Sequence, residues 1–373
     1  MTPVFLTEAA VRDVDGMRTS QLASVRLRNI IPQQQLRRMG IPAKTLHSAK
    51  PGAATDSAVI READVVVVGK VFSEFRPFVA ACLARGTVVV IDVCDNVFAI
   101  PALAAMKDII MPGVHVVAAS QALAELVRRR TGIMAEVIGD PYEGRPAPPR
   151  FAPDQDRLRL LWYGAPGNAE TLERVLPEIA AAPLGRRVAL QVVSYPPSTF
   201  TPMLSAFVET RGARGRFTAR LSTWSLGTME TALDACDLVI IPSDDSDVRR
   251  VKSANRLVRA LVGGRFVIAH PLPEYLAMAE YARIDSSVAA GLGWALAHPD
   301  WATERIRMGQ AHVLDHLTPE AAGLAWADAL SRFVAARQAS RRNPSPCRSQ
   351  PSKPSPSTSS APSSTGAAAS SRS

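Results

Sequence analysis

Residues 237–271 read DLVIIPSDDSDVRRVKSANRLVRALVGGRFVIAHP. The runs DLVIIPS (237–243) and FVIAHP (266–271) are apolar wherever a strand interior would lie, the pattern of strands covered on both faces. Between them a polar loop leads into a helical stretch over 252–263, with Leu257, Val258 and Leu261 on its inward side. Strand, crossover helix and strand make a parallel βαβ unit. In an open parallel sheet the strand ends face a crevice, into which each following helix points its positive amino end. Lys252, Asn255, Arg256 and Arg259 recur at spacings of three and four, on neighbouring parts of one helical surface at that crevice. Cations there oppose the helix dipole unless an anion sits among them, and the strand-end position favours that reading. The alternative is a solvated basic face continuing Arg249 and Arg250.

Working outward, the same alternation covers the chain in two series. Strands are expected at 4–7, 43–47, 64–69, 87–92, 115–120 and 135–140, with helices near 22–38, 74–85, 101–110 and 121–130. A second series has strands at 159–164, 188–194, 217–222, 237–243 and 266–271, with helices near 168–181, 225–235 and 252–263. The fold class is therefore α/β, with two Rossmann-like parallel-sheet domains facing a cleft. The expected boundaries are 1–140 for the first domain, 141–156 for a proline-rich linker, and 157–336 for the second domain. That second domain includes amphipathic segments at 288–297, 302–315 and 319–336, the last able to pack back across the first. Residues 337–373 are rich in Ser and Pro and too poor in large apolar side chains to offset the entropy of ordering, so a disordered tail is expected there.

The net charge of +9 is concentrated in that tail, which carries six basic residues and no acid, leaving +3 for the rest. A nucleic-acid-binding face is not required, and none is expected. The tail cations suit at most a peripheral contact with an anionic membrane surface. No apolar run approaches the ~18 residues of a membrane span, and the amino terminus lacks the pattern of a signal peptide, so a cytoplasmic location is expected. Cys82, Cys94, Cys236 and Cys347 are scattered without metal-binding spacing.

Other strand-end loops supply further candidates. WYGAPGN (162–168) offers Gly164 and Gly167 for close backbone approach and Asn168 as a helix cap. DVCDN (92–96) offers Asp92 and Asp95 as a base or as hydroxyl-orienting groups, and Asn96 as a sugar hydrogen-bonder; capping is the alternative for Asp95 and Asn96. Its DxxD spacing argues against metal, and DDSD (244–247) reads as a solvated loop. Lys70, Glu74 and Arg76 follow the valine strand and either face an acceptor or form a charged rim. Arg18, Arg26 and Arg28 either meet an anionic acceptor or start a basic helix. His270, Glu274 and Tyr275 lie beyond the last strand, His270 as a donor contact or a core residue and the other two as sugar-hydroxyl contacts. His312 and His316 read as a surface pair without a third metal ligand.

RALVGGRFVIAHP resembles the stretch of GT-B glycosyltransferases in which a glutamate, a small apolar trio, a glycine and a strand follow one another. KSANRLVRALVGGRFVIAHPLPEY is similar to bacterial members of the glycosyltransferase group one superfamily with a Lys-Ser-x-Asn-Arg block. The resemblance extends to 24–40, 90–96 and 116–132, and so spans nearly all of residues 1–335. It implies a nucleotide-sugar in the second domain and a glycan or lipid-linked acceptor in the first. It also implies diphosphate contacts from Lys252 and Arg256 beside the Gly164–Gly167 loop, donor contacts along Ser253 and Asn255, and no metal or other cofactor. One departure stands out: where many members carry two glutamates separated by seven residues, this chain has Val251 and Arg259, and neither accepts ribose hydroxyl hydrogens as a carboxylate does. Three functions follow as expectations: a glycosyltransferase of polysaccharide synthesis, a nucleotide-sugar epimerase, or a degenerate nucleotide-sugar binding protein.

Overall fold

The computed structural model describes residues 1–14, 16–210 and 215–342. The first half contains β1 (Pro3–Thr7), a hairpin of β2 (Arg12–Val14) and β3 (Met17–Thr19), then β4 (Lys44–His47), β5 (Val65–Gly69), β6 (Val88–Val93), β7 (His115–Ala118) and β8 (Ala135–Val137). The second half contains β9 (Arg157–Tyr163), β10 (Arg187–Ser194), β11 (Phe217–Thr223), β12 (Leu238–Ile241), β13 (Phe266–Ala269) and β14 (Arg283–Ile284). Two six-stranded parallel sheets result, ordered β4-β1-β5-β6-β7-β8 and β11-β10-β9-β12-β13-β14. All eleven expected strands form: β1, β5, β6, β12 and β13 are apolar runs buried along their whole length, while the edge strands β4, β8 and β11 are partly exposed.

Both sheets reverse strand order beside their first strand, between β1 and β5 in one and between β9 and β12 in the other. The second has the 3-2-1-4-5-6 order of a dinucleotide-binding sheet. Residues beside both switch points line one cavity.

Several elements depart from expectation. The hairpin β2–β3 lies outside the expected strands; β2 is exposed along its length and has no hydrophobic alternation. The helix expected over 22–38 contains a π-helical stretch at Arg26–Ile30, in which all five side chains are buried. The helix expected from 252 begins at Asn255 and runs to Val262, so Lys252 and Ser253 lie in the loop before it. The linker is docked: Ala147 N donates to Val262 O at 3.0 Å and Arg150 N to Gly264 O at 3.0 Å. Gly264, at φ 67°, leaves no room for a Cβ, which would approach Ala147 O to 2.6 Å.

The last helix, Pro319–Arg342, lies across the first sheet. It buries Trp326, Ala329 and Leu330 against Phe5, Val65, Val67, Val88 and Val90. Trp326 meets Phe5 edge-on at 5.4 Å, and His115 stacks on Phe333 at 4.2 Å. It extends six residues beyond the expected start of the tail, and the Ser/Pro-rich sequence from 343 lies outside the described residues. Among the described residues no helix is long and apolar enough to cross a membrane.

Candidate functional site

A cavity of about 600 Å³ opens between the two sets of strand ends. From the second domain, Tyr163, Gly164 and Ala165 line it after β9, Tyr195 after β10, Trp224 after β11 and Ser243 after β12. The loop and first turn of the helix Asn255–Val262 add Lys252, Ser253, Asn255, Arg256 and Arg259. From the first domain come Ala9 and Ala10 after β1, Lys70 and Phe72 after β5, and Cys94 and Asp95 after β6.

Seven Lys or Arg side chains line the cavity against three carboxylates, Asp95, Asp140 and Glu143. Lys70 and Lys252 both bond the Asp95 carboxylate, so this group joins the domains. Burial works against the Asp95 charge, but Lys252 and Lys70 outweigh it and hold the carboxyl well below its usual range. Arg26 grips Glu143 through Nε at 2.6 Å and Nη2 at 3.0 Å, while its guanidinium lies 4.1 Å over the Trp224 ring. Asp140 accepts from Ser253 Oγ at 2.6 Å and Asn255 Nδ2 at 3.4 Å. Burial pushes the neighbouring Cys94 thiol up to about 12, so it stays protonated.

Arg256 differs from these paired cations. Its Nη1 is buried and has no hydrogen-bond partner among the described residues. The Tyr163 hydroxyl, buried and raised in pKa by that burial, donates to the Arg256 carbonyl and seats the helix start against the end of β9. A half-buried guanidinium with one unpartnered buried nitrogen, at a strand-order switch point, is a place for an anion.

Comparison with known proteins agrees with this geometry. No protein-family model and no curated protein sequence matches the chain. Among solved structures, Anabaena HepE in complex with UDP-glucose is similar at TM-score 0.65 and 12% identity, covering 89% of this chain and all of that one. A glycosyltransferase from Rickettsia africae is similar at TM-score 0.66 and 10% identity, covering 89% of this chain and 98% of that one. The lipopolysaccharide outer core galactosyltransferase WaaB, in its apo form, is similar at 0.56 and 12%, covering 89% and 99%. This chain has the GT-B glycosyltransferase fold.

Within the GT-B cleft the sequence candidates divide. Asp95, Lys252, Ser253, Asn255, Arg256, Arg259, Gly164, Asn168, Tyr275 and Lys70 line the cavity. Asp92 lies beneath it, 2% exposed, in an ion pair with Arg28 Nη2 at 2.6 Å. Burial disfavours the Arg28 charge, but Asp92 and Asp140 more than compensate and raise its pKa. Arg26 and Arg28 are thus spent on carboxylates of the protein itself, and Arg18 is exposed, donating to Thr45 O at 3.3 Å. Asn96 is buried and donates to Asp247 O at 3.0 Å across the cleft, and Glu274 accepts from Gln121 N at 3.2 Å, so both tie the domains together outside the cavity. Glu74 is exposed and His270 half-buried, and neither lines the cavity.

Asn168 occupies the cap position of the helix Ala169–Ala181 without a side-chain capping bond, and the Gly167 carbonyl accepts from Arg249 Nη2 at 3.1 Å. Arg249 also pairs with Asp244 at 2.8 Å, so it braces the glycine loop and is not a solvated extension of the basic helix. Arg259, where the resembling family carries a glutamate, meets a carboxylate from another helix: Glu230 stands 2.5 Å from its Nη2. His312 and His316 stack at 4.7 Å, and among the described residues no three His, Cys, Asp or Glu side chains group as metal ligands. Sequence reasoning missed Phe72, Trp224, Asp140 and Glu143. The last two follow the final strand of the first series and carry no motif; their carboxylates acquire meaning only when Arg28 and Arg26 arrive from a distant helix.

Proposed function

We propose that this chain is a glycosyltransferase that moves a hexosyl group from a nucleoside-diphosphate sugar to an acceptor in the facing domain. The observation that carries the reading is the unpartnered Arg256 guanidinium at the switch point of the second sheet, beside Lys252 and the helix start at Asn255. Anabaena HepE, whose fold is similar, is solved in complex with UDP-glucose, which supports a nucleotide-sugar here.

Transfer forms a bond from an acceptor hydroxyl oxygen to the anomeric carbon and breaks the bond from that carbon to the diphosphate oxygen; the hydroxyl proton passes to the departing diphosphate or to solvent, and negative charge grows on that diphosphate. Arg256 and Lys252 neutralise that charge, so the stabilisation is greatest where charge develops. Asp95 shares Lys252 with the donor and sets its position from the first domain. The backbone of the Gly164–Gly167 loop, braced by Arg249, forms the donor's floor. Such a mechanism draws on cationic side chains and amides, and polysaccharide synthesis is the setting we assign to it.

Losing one charge-assisted phosphate contact costs about 1.5 to 3 kcal/mol, or roughly 10- to 150-fold in affinity. Calorimetric titration of UDP should therefore weaken by that factor in Arg256→Ala and stay unchanged in Arg250→Ala, whose side chain is exposed. Equal affinities in the parent and Arg256→Ala would sink the donor-site assignment. Saturable UDP-sugar binding without sugar transfer or hydrolysis, across a panel of donors and glycan acceptors, would leave a binding protein in place of an enzyme.

A further inference from the structure

The opposite wall of the cavity is built at the other switch point, by the loops that leave β1 and β5. The second of these loops is held in an unusual conformation. Lys70 adopts a left-handed backbone at φ 53°, which a non-glycine residue keeps only where its surroundings impose it. The Glu8 carboxylate accepts from Phe72 N at 2.6 Å and Ser73 N at 2.8 Å, and also bonds the Ser73 hydroxyl. Glu8 N in turn donates to Lys70 O at 3.3 Å. Val71 and Phe75, on either side, are fully buried in the first core.

The consequence is a Phe72, 45% exposed, at the cavity edge on a backbone pinned by two amide hydrogen bonds to Glu8. Leu22, 39% exposed, lines the same wall. Arg12 reaches this lining from the hairpin that follows β1, and no described carboxylate pairs with it. A rigidly presented aromatic side chain, a second apolar side chain and a cation with no carboxylate partner among the described residues are the elements of a small polar-ligand site. A pyranose ring presents C–H groups that pack on an aromatic face while its hydroxyls stay wet.

We propose that Phe72 and Arg12 form the acceptor subsite, Phe72 stacking on a pyranose ring and Arg12 pairing with an anionic substituent of that sugar. The acceptor class is therefore an anionic saccharide, its charge a uronate carboxylate or a phosphate. This inference rests on the donor assignment above, since it takes the second domain to be filled by the nucleotide.

The test uses saccharide binding without donor, by NMR titration of methyl β-glucuronide, glucose 6-phosphate and neutral methyl β-glucoside. The parent protein binds an anionic sugar more tightly than the neutral one, and the preferred anion distinguishes carboxylate from phosphate. Phe72→Ala weakens both kinds of sugar by about 3- to 10-fold. Arg12→Gln abolishes the preference for the anion, a loss of up to about 5-fold for an exposed pair. Titration with UDP is unchanged in both variants. No saccharide binding by the parent, no preference for charge, or variants that bind like the parent would each overturn the subsite. The expected saccharide pattern in a protein that fails to bind UDP would uphold the subsite and refute the donor assignment.

Discussion

Replacing Asp95 by asparagine tests whether that carboxylate is a latch between the domains. Its side chain is 10% exposed and bonds Lys70, 16% exposed, and Lys252, 38% exposed. Removing one partner of a buried pair costs about 3 kcal/mol or more, which applies to the Lys70 half. The Lys252 half is screened by solvent and contributes about 0.2 to 1 kcal/mol. A total of about 3 to 4 kcal/mol lowers Tm by roughly 6 to 16 °C for a domain of this size. Donor binding moves the other way: Lys252 is released toward the diphosphate and a negative charge leaves the opposing wall. UDP should bind about 1.4- to 5-fold more tightly, the affinity equivalent of the broken surface pair.

The pH dependence carries a definite sign. Asp95 has a folded-state pKa depressed below its unfolded value, so its stabilisation is complete above roughly pH 4 to 5 and is lost as the pH falls toward the folded value. The Tm difference between parent and Asp95→Asn should be full at pH 6 and shrink below about pH 4. Differential scanning fluorimetry across pH, with calorimetric UDP titration at pH 7, measures both effects. A tenfold weaker UDP affinity at unchanged Tm would refute the latch and make Asp95 a direct ligand contact.

Two further predictions concern the scaffold. Gly264→Ala forces a Cβ against the carbonyls of Ala147 and Pro148 at a positive φ. The cost is about 3 kcal/mol or more, seen as a Tm loss of roughly 6 °C or greater in thermal melts. In a Cys347→Ala variant, Cys82, Cys94 and Cys236 should alkylate slowly at pH 8. Burial raises all three thiols, Cys94 and Cys236 to about 12, so at these two thiolate is roughly a thousandfold scarcer than for a free cysteine; rapid iodoacetamide labelling by mass spectrometry would contradict that burial.

What the sequence determined by itself is the local pattern. Valine-rich strands, amphipathic helices and a proline-rich joint specify two parallel sheets, because periodicity and β-branching act within a few residues. It also marked Arg256, Lys252 and the glycine loop, since strand ends in a parallel sheet must converge on a crevice. The pairing of charges needed the tertiary structure. Asp92 and Asp95 are three residues apart, yet one is committed beneath the cavity to Arg28 and the other at its wall to two lysines from different domains. Asn96 and Glu274 join the domains for the same reason: their partners, the Asp247 carbonyl and the Gln121 amide, are distant in the chain. Phe72 looks like one more apolar residue in its loop, and only the Glu8 carboxylate, arriving from the loop after β1, pins the backbone that presents it. Backbone pattern is encoded locally, whereas which cations are spent and which remain free depends on contacts between segments brought together by folding.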